Sequence, residues 1–245
     1  MLVLALSLLG SFAAAQGLRV VTEEWAPFNY LDKGSGAGMA VELVQAMLAD
    51  AGIVASIEFL PWNRAYELAQ KTPNVLIFTM GRNADREALF DWLFRIAPRE
   101  IWLIKLAKKS ELTLSSLEEA KKYLIGTGPK EDATTQELVK AGFVIGKNLD
   151  SVTTGDPDKT TIQKLFAKRN DLIAGNPVSL AYSAKSLGYD FSETAKVLRL
   201  SGENPGYWSA LSLKSDPVLR KRLADSVAKL EKTGLFKSIL DKYLK

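Results

Sequence analysis

The stretch Thr79-Met-Gly-Arg-Asn-Ala-Asp-Arg86-Glu-Ala-Leu-Phe-Asp-Trp92 gathers the residue types most able to hold a small charged molecule. It follows a strand-like apolar run, Val75 to Phe78. A strand that ends in Thr-x-Gly and opens into a turn or helix presents a hydroxyl, free backbone N–H groups and guanidinium forks at one spot. That set suits a carboxylate or another anion. Arg82 and Arg86 share one face if the segment is helical. The bland alternative is a pair of solvated surface charges matched by Asp85 and Glu87.

Composition limits what else the chain can do. Its 245 residues are 47% hydrophobic and 24% charged, enough for one large domain or two lobes of about 100 residues each. The net charge is +4, from 32 basic and 28 acidic side chains. The basic residues are scattered among acidic ones and form no nucleic-acid footprint. Cysteine and histidine are both absent. That removes thiol nucleophiles, imidazole acid–base chemistry, disulfides, Cys/His metal sites and a lipidated N-terminal cysteine. No cofactor or metal is expected.

The elements that would position these residues follow from periodicity. Leu18 to Thr22 reads as a buried strand, and Pro27, Asn29 and Gly34 to Gly38 mark a turn-rich loop. Val41, Val44, Met47 and Leu48 recur near helical spacing within Met39 to Ala51, and Gly52 stands where a helix stop belongs. Strands are expected at Ile57 to Leu60, Val75 to Phe78 and Trp102 to Leu106, with a helix over Asn63 to Ala69. The pattern then restarts. Helices are expected over Leu117–Lys121, Thr134–Ala141 and Thr160–Ala167, and strands at Tyr123–Gly126, after Asn148 and at Asp171–Ala174. A helical stripe at Leu219, Leu223, Val227 and Leu230 precedes Gly234 and a last helix, Leu235 to Leu244. Strands alternating with helices indicate an α/β fold with a mainly parallel sheet, here as two similar lobes.

Met1 to Phe12 is an unbroken apolar run followed by Ala13-Ala-Ala15-Gln16. It is too short for a stable membrane anchor, and Ala13 and Ala15 fit an A-x-A cleavage site, although no Lys or Arg precedes the run. A signal peptide over residues 1–15, removed before Gln16, is expected, with release into the periplasm.

With these elements in place, the residues resemble the periplasmic polar-amino-acid-binding proteins, the receptor subunits of bacterial ABC importers. The resemblance runs from about Leu18 to the C-terminus. It is carried by Trp25-Ala-Pro-Phe28, Gly38-Met-Ala-Val-Glu-Leu43, Pro61-Trp-Asn-Arg-Ala65, Arg82 to Trp92, Leu117 to Gly126, Arg169 to Ala174 and Lys232 to Tyr243. It implies the type II two-lobed fold, with a ligand cleft between lobes joined by two crossing strands. One lobe would hold residues 17–101 and 209–245, the other 102–208. It implies a monomer whose partners are a small-molecule ligand and the membrane subunits of an importer. Two other activities on this fold stay open, a lyase of the cyclohexadienyl dehydratase type and a ligand-sensing module. Glu24, Glu131 and Asp132 are the candidate acids for the lyase.

The resemblance also implies roles. The Trp25 ring would cover the ligand. Thr79 and Gly81, beyond Phe78 at the strand end, would bind it through a hydroxyl and the backbone. Arg86 would clamp a carboxylate in two-pronged fashion, with Arg82 beside it. Trp62 and Arg64 follow a strand end and would line the cleft. Asn176 occupies the position where the family holds the ligand's ammonium with an aspartate, and a neutral amide loses most of that ion-pair attraction. Asp132 either supplies the missing charge or caps the helix that follows it, and Glu24 is a further candidate.

Overall fold

The computed structural model describes residues 17–153, 155–200 and 206–244. The expected signal segment therefore lies outside the described residues. The chain opens with β1 (Arg19–Thr22), a small hairpin of β2 (Tyr30–Asp32) and β3 (Ser35–Ala37), and α1 (Met39–Asp50). β4 (Ile57–Phe59), α2 (Trp62–Lys71), β5 (Val75–Gly81) and β6 (Phe90–Pro98) follow. Arg99 to Ile101 then lead into a second unit. It comprises β7 (Trp102–Leu106), α3 (Leu117–Ala120), β8 (Ile125–Thr127), α4 (Ala133–Lys140), β9 (Leu149–Ser151), α5 (Pro157–Phe166), β10 (Leu172–Gly175), α6 (Pro177–Ser186) and β11 (Thr194–Arg199). The chain returns through β12 (Gly206–Ser212) to α7 (Pro217–Lys232) and α8 (Leu235–Leu244).

Two five-stranded sheets result, ordered β4-β1-β5-β12-β6 and β11-β7-β10-β8-β9. The expectation of a mainly parallel sheet needs correction. β1 pairs parallel with β4 and β5, and β8 pairs parallel with β9 and β10, but β12 and β7 pair antiparallel with both their neighbours. The physical reason is the crossing. A segment that leaves one lobe for the other runs back along the sheet it enters, so each lobe gains antiparallel strands. Several of these elements, β6, β11, β12 and α6, are absent from the periodicity reading.

Each sheet is covered on both faces. β5 is buried over all seven residues, with Leu76 and Phe78 in a core against α1 and α7 and Ile77 and Met80 in a core against α2. The second sheet repeats this plan around Leu103, Ile125 and Leu172 on one face and Ile104, Ile162 and Ile173 on the other. Apolar burial on both faces is what a strand with a continuous hydrophobic run requires. It also leaves only strand ends free to present polar groups. Three helices of the chain begin with the same local signal, an Asp or Asn cap followed by proline in the first turn: α5 (Asp156, Pro157), α6 (Asn176, Pro177) and α7 (Asp216, Pro217).

Candidate functional site

The carboxyl ends of β1, β5, β8 and β10 converge on one cleft between the two sheets, where open α/β sheets place their ligands. Its walls include Glu23, Glu24, Trp25, Trp62, Thr79, Gly81 and Arg86 from the first lobe. Facing them are Thr127 to Pro129, Asp132 to Thr134, Pro157, Asp158 and Ala174 to Asn176 from the second. Measured out to its mouth the space is about 750 Å³.

The lobes are closed on each other. Trp25 Nε1 donates to Asp158 Oδ2 at 2.9 Å, and Trp62 Nε1 donates to the Glu131 carbonyl at 3.3 Å. Asn176 and Tyr207 hydrogen-bond through their side chains, and Lys140 pairs with Asp85. At Gly81 a Cβ would stand 3.1 Å from the Ala133 Cβ and 3.3 Å from Arg99 Nε. The approach of the second lobe at this point thus leaves little room for any side chain.

Arg86 sits at the centre of this contact, 1% exposed. Its Nη1 donates to the Gly81 carbonyl at 3.0 Å and its Nη2 to the Glu131 carbonyl at 2.6 Å, while Nε has no partner. The guanidinium lies over the rings of Trp62 and Tyr66, 5.6 and 4.9 Å from their centroids. Burial lowers its pKa, opposed by Tyr66 and Asp132. Thr79 lines the same cleft, 5% exposed, with Oγ1 unpartnered among the described residues.

Eight of the eleven candidate residues from the sequence line the cleft: Glu24, Trp25, Trp62, Thr79, Gly81, Arg86, Asp132 and Asn176. Three do not. Arg82 and Arg86 do not share a helical face, because β5 runs on through Gly81 and only Glu87–Leu89 form a short 3-10 turn. Arg82 instead turns outward, pairs with Glu87 and lies between Trp92 and Trp208, 5.1 and 4.6 Å from their centroids. Phe78 points into the core and is fully buried. Arg64 is exposed on α2, near Glu58 and Glu67.

The two polar candidates of the second lobe both act as helix caps. Asp132 accepts from Thr134 N and Thr135 N at the start of α4, and Asn176 Oδ1 accepts from Val178 N at 2.9 Å at the start of α6. The cap is therefore one role of Asp132, and its charge still faces the cleft.

Four further ionisable residues of the site escape the sequence reading: Glu23, Arg99, Asp158 and Tyr207. Arg99 is 3% exposed, pairs with Glu137 at 3.0 Å and donates to Thr134 Oγ1 at 2.8 Å. Burial raises the Glu137 pKa despite that arginine. Tyr207 has its pKa raised by burial, with Arg99 opposing. Glu23 has its carboxyl pushed up to about 8, first by burial and then by facing Asp132, Asp158 and Asp156, with Arg86 opposing. Asp158 is pushed up to about 6, again by burial first, against hydrogen bonds from Ser179 and Trp25. A signal for Asp158 was present in Asp156-Pro157-Asp158. The cap-and-proline start begins α5 at Pro157, three residues before the helix expected from Thr160, and so places Asp158 in its first turn. Nothing local marks Glu23 apart from its neighbour Glu24.

Residues 18–245 match the family model of bacterial extracellular solute-binding proteins, family 3. The chain belongs to that family. Solved structures agree on the fold, the type II periplasmic binding protein. An ancestral arginine-binding protein bound to arginine superposes with a TM-score of 0.76 at 18% identity, covering 94% of this chain and 98% of that one. A histidine kinase sensor domain with similarity to periplasmic binding proteins gives 0.76 at 18% identity, over 94% and 96% of the two chains. The arginine-, lysine-, histidine-binding protein ArtJ from Geobacillus stearothermophilus gives 0.73 at 16% identity, over 93% and 95%. No protein of curated function matches the chain. Among the described residues of this solute-binding protein no helix is long and apolar enough to cross a membrane.

Proposed function

We propose that this solute-binding protein is the periplasmic receptor of an ABC importer and captures a small polar, amino-acid-like ligand in the cleft between its lobes. The observation that carries the reading is Arg86, buried between the lobes in the cleft that the unpartnered Thr79 hydroxyl also lines. A guanidinium with an unused N–H, a free hydroxyl and the indole of Trp25 make a site for a carboxylate under an aromatic cover. Closure follows the hinge logic for which proteins of this fold are a standing example. In the closed form Arg86 reaches the backbone of the second lobe, so a ligand carboxylate would compete for, or be bracketed by, the contacts to Gly81 and Glu131. The mature protein begins near Gln16, which intact-mass measurement on periplasmic extract checks.

Thermal-shift screening against amino acids, polyamines and organic acids tests the reading, because a ligand that binds only the folded state raises Tm by mass action. A hit is confirmed by calorimetry and by compaction in solution scattering. A panel with no hit, or a hit unaffected by replacing both Trp25 and Arg86, defeats it.

A second reading is favoured by one observation. A carboxyl near pKa 8 in a closed cleft, Glu23, is the kind of general acid a cyclohexadienyl dehydratase would need. Incubation with a cyclohexadienyl carboxylate and a watch for aromatic absorbance decides it. No turnover removes the lyase.

A further inference from the structure

The charges around the cleft do not balance. Four carboxyl side chains line it, Glu23, Glu24, Asp132 and Asp158, against two guanidinium groups, Arg86 and Arg99. Arg99 is already matched by Glu137 at 3.0 Å. Arg86 has its Nη1 and Nη2 on backbone carbonyls.

The acidic groups differ in what else they do. Asp132 accepts from two backbone N–H groups at the start of α4. Asp156, which borders the outer part of the cleft, caps α5 and pairs with Lys159 at 3.2 Å. Glu24 is exposed at the rim. Glu23 has no hydrogen-bond or ion-pair partner among the described residues, and it faces Asp132, Asp158 and Asp156. Among the described residues Asp158 receives only neutral donors, Trp25 Nε1 and the Ser179 side chain. Glu23 follows β1 in the first lobe, whereas Asp158 stands on α5 in the second. Closing the lobes thus brings two carboxyl groups together across the gap, neither with an ion-pair partner among the described residues. Ionised together in this partly desolvated site they would repel, so the ligand-free closed cleft keeps a proton on Glu23. The unpartnered Thr79 hydroxyl on the same cleft is a separate mark of a place left for a ligand.

We infer that Glu23 and Asp158 form a cation subsite, one carboxylate from each lobe, that holds an ammonium or guanidinium group of the ligand beneath the Trp25 ring. This deepens the receptor reading and rests on it. The ligand class narrows to molecules with a cationic group beyond what Arg86 and Thr79 would bind. The same group takes the place of the Glu23 proton and lets both carboxylates be ionised with the lobes closed. A neutral ligand of equal shape leaves the proton on Glu23 and gains no ion pair, so it binds less tightly. The charged groups that bear on Glu23 are Asp132 on α4, Asp156 and Asp158 on α5, Arg86 after β5, and Glu24 beside it. Its raised pKa means that a cation arriving at neutral pH displaces a proton.

Calorimetry with matched pairs tests the inference: L-arginine against L-citrulline, L-lysine against L-norleucine, and 1,4-diaminobutane against 1,4-butanediol. At pH 7.5 at least one cationic member is expected to bind tenfold or more tightly than its neutral counterpart. That binding should release protons, read as a dependence of the measured heat on the ionisation enthalpy of the buffer. Glu23→Gln and Asp158→Asn should each cut the preference at least fivefold, and Glu23→Gln should also abolish most of the proton release. The Tm of ligand-free Glu23→Gln should equal or exceed wild type at pH 8, which a scaffold role would not produce. No cationic member outbinding its neutral partner overturns the subsite, as does a preference that survives both substitutions. If a neutral or anionic compound binds and is lost on replacing Arg86 and Trp25, the receptor reading stands while the cation subsite falls.

Discussion

The two walls of the cleft use polar residues in different ways. On the second lobe, Asp132, Asp156 and Asn176 each hold the first backbone N–H groups of a helix, so their side chains have a local purpose before any ligand arrives. On the first lobe, Thr79 Oγ1 and Arg86 Nε lack partners, and Glu23 has none for its carboxylate among the described residues. A helix start in the second lobe delivers N–H groups that demand an acceptor. The strand ends of the first lobe leave side chains whose needs the local backbone does not meet. The contrast sets side chains at the cleft already used by the local backbone apart from side chains there with hydrogen-bonding capacity left over.

The largest effect expected from this contrast is at Arg86. Replacing it with Ala removes charge and fork, and replacing it with Lys removes only the fork, so even Lys should weaken the ligand found by screening by about 1.5–3 kcal/mol. Calorimetry reads this directly, and wild-type affinity in the Ala variant would break the comparison on its first-lobe side.

Glu23 comes next. The folded protein keeps the proton of a carboxyl whose pKa is near 8, whereas the unfolded chain releases it near the ordinary 4.5. The folded state therefore binds more protons between these values, and stability declines as pH rises from about 4.5 to about 8, then levels. Asp158 acts in the same direction between 3.8 and about 6. Thermal melts from pH 5 to 8.5 should show the Glu23→Gln variant with a flatter decline than wild type. A parallel decline would mean that Glu23 is solvated in the closed form.

Asp132 should behave as the second-lobe wall implies. Asp132→Ala loses the α4 cap and should cost roughly 1 kcal/mol of stability, the usual range for such a cap. Asp132→Asn keeps the cap geometry and should recover most of that loss in a denaturant titration. If Asp132→Asn stays as unstable as Ala, then charge rather than hydrogen bonding holds this helix start. The smallest effect is expected at Arg82, which is paired with Glu87 and stacked outside the cleft. Arg82→Ala should leave binding unchanged and shift stability by less than about 1 kcal/mol.

Much of the scaffold was legible from the chain. Helical spacing located α1, and Gly234 marked the break before α8, where its φ of 75° suits glycine. The family motifs led to most of the cleft residues. The elements that were missed share a cause. β6, β11 and β12 lie at or beside the crossings between lobes; β6 and β11 mix polar and apolar residues over partly exposed positions, and β12, although buried almost throughout, carries Gly206, Ser209 and Ser212 among its apolar residues. α6 was announced by Asn176-Pro177, a cap and proline signal that an apolar stripe alone does not detect.

The sequence by itself determined the alternation of strands and helices, the two-lobed family and the residues at the strand ends, because local periodicity and capping act over a few neighbours. The family resemblance gave the clamp to Arg86, but local pattern alone put Arg82 on the same face. Their separation depends on β5 continuing to Gly81, which sends one guanidinium out to Trp92 and Trp208 and the other in toward Glu131. The sequence could not bring Glu23 to Asp158, 135 positions along the chain, since only lobe closure makes those carboxylates neighbours. Charge acts through space and burial, and both are set by the tertiary fold.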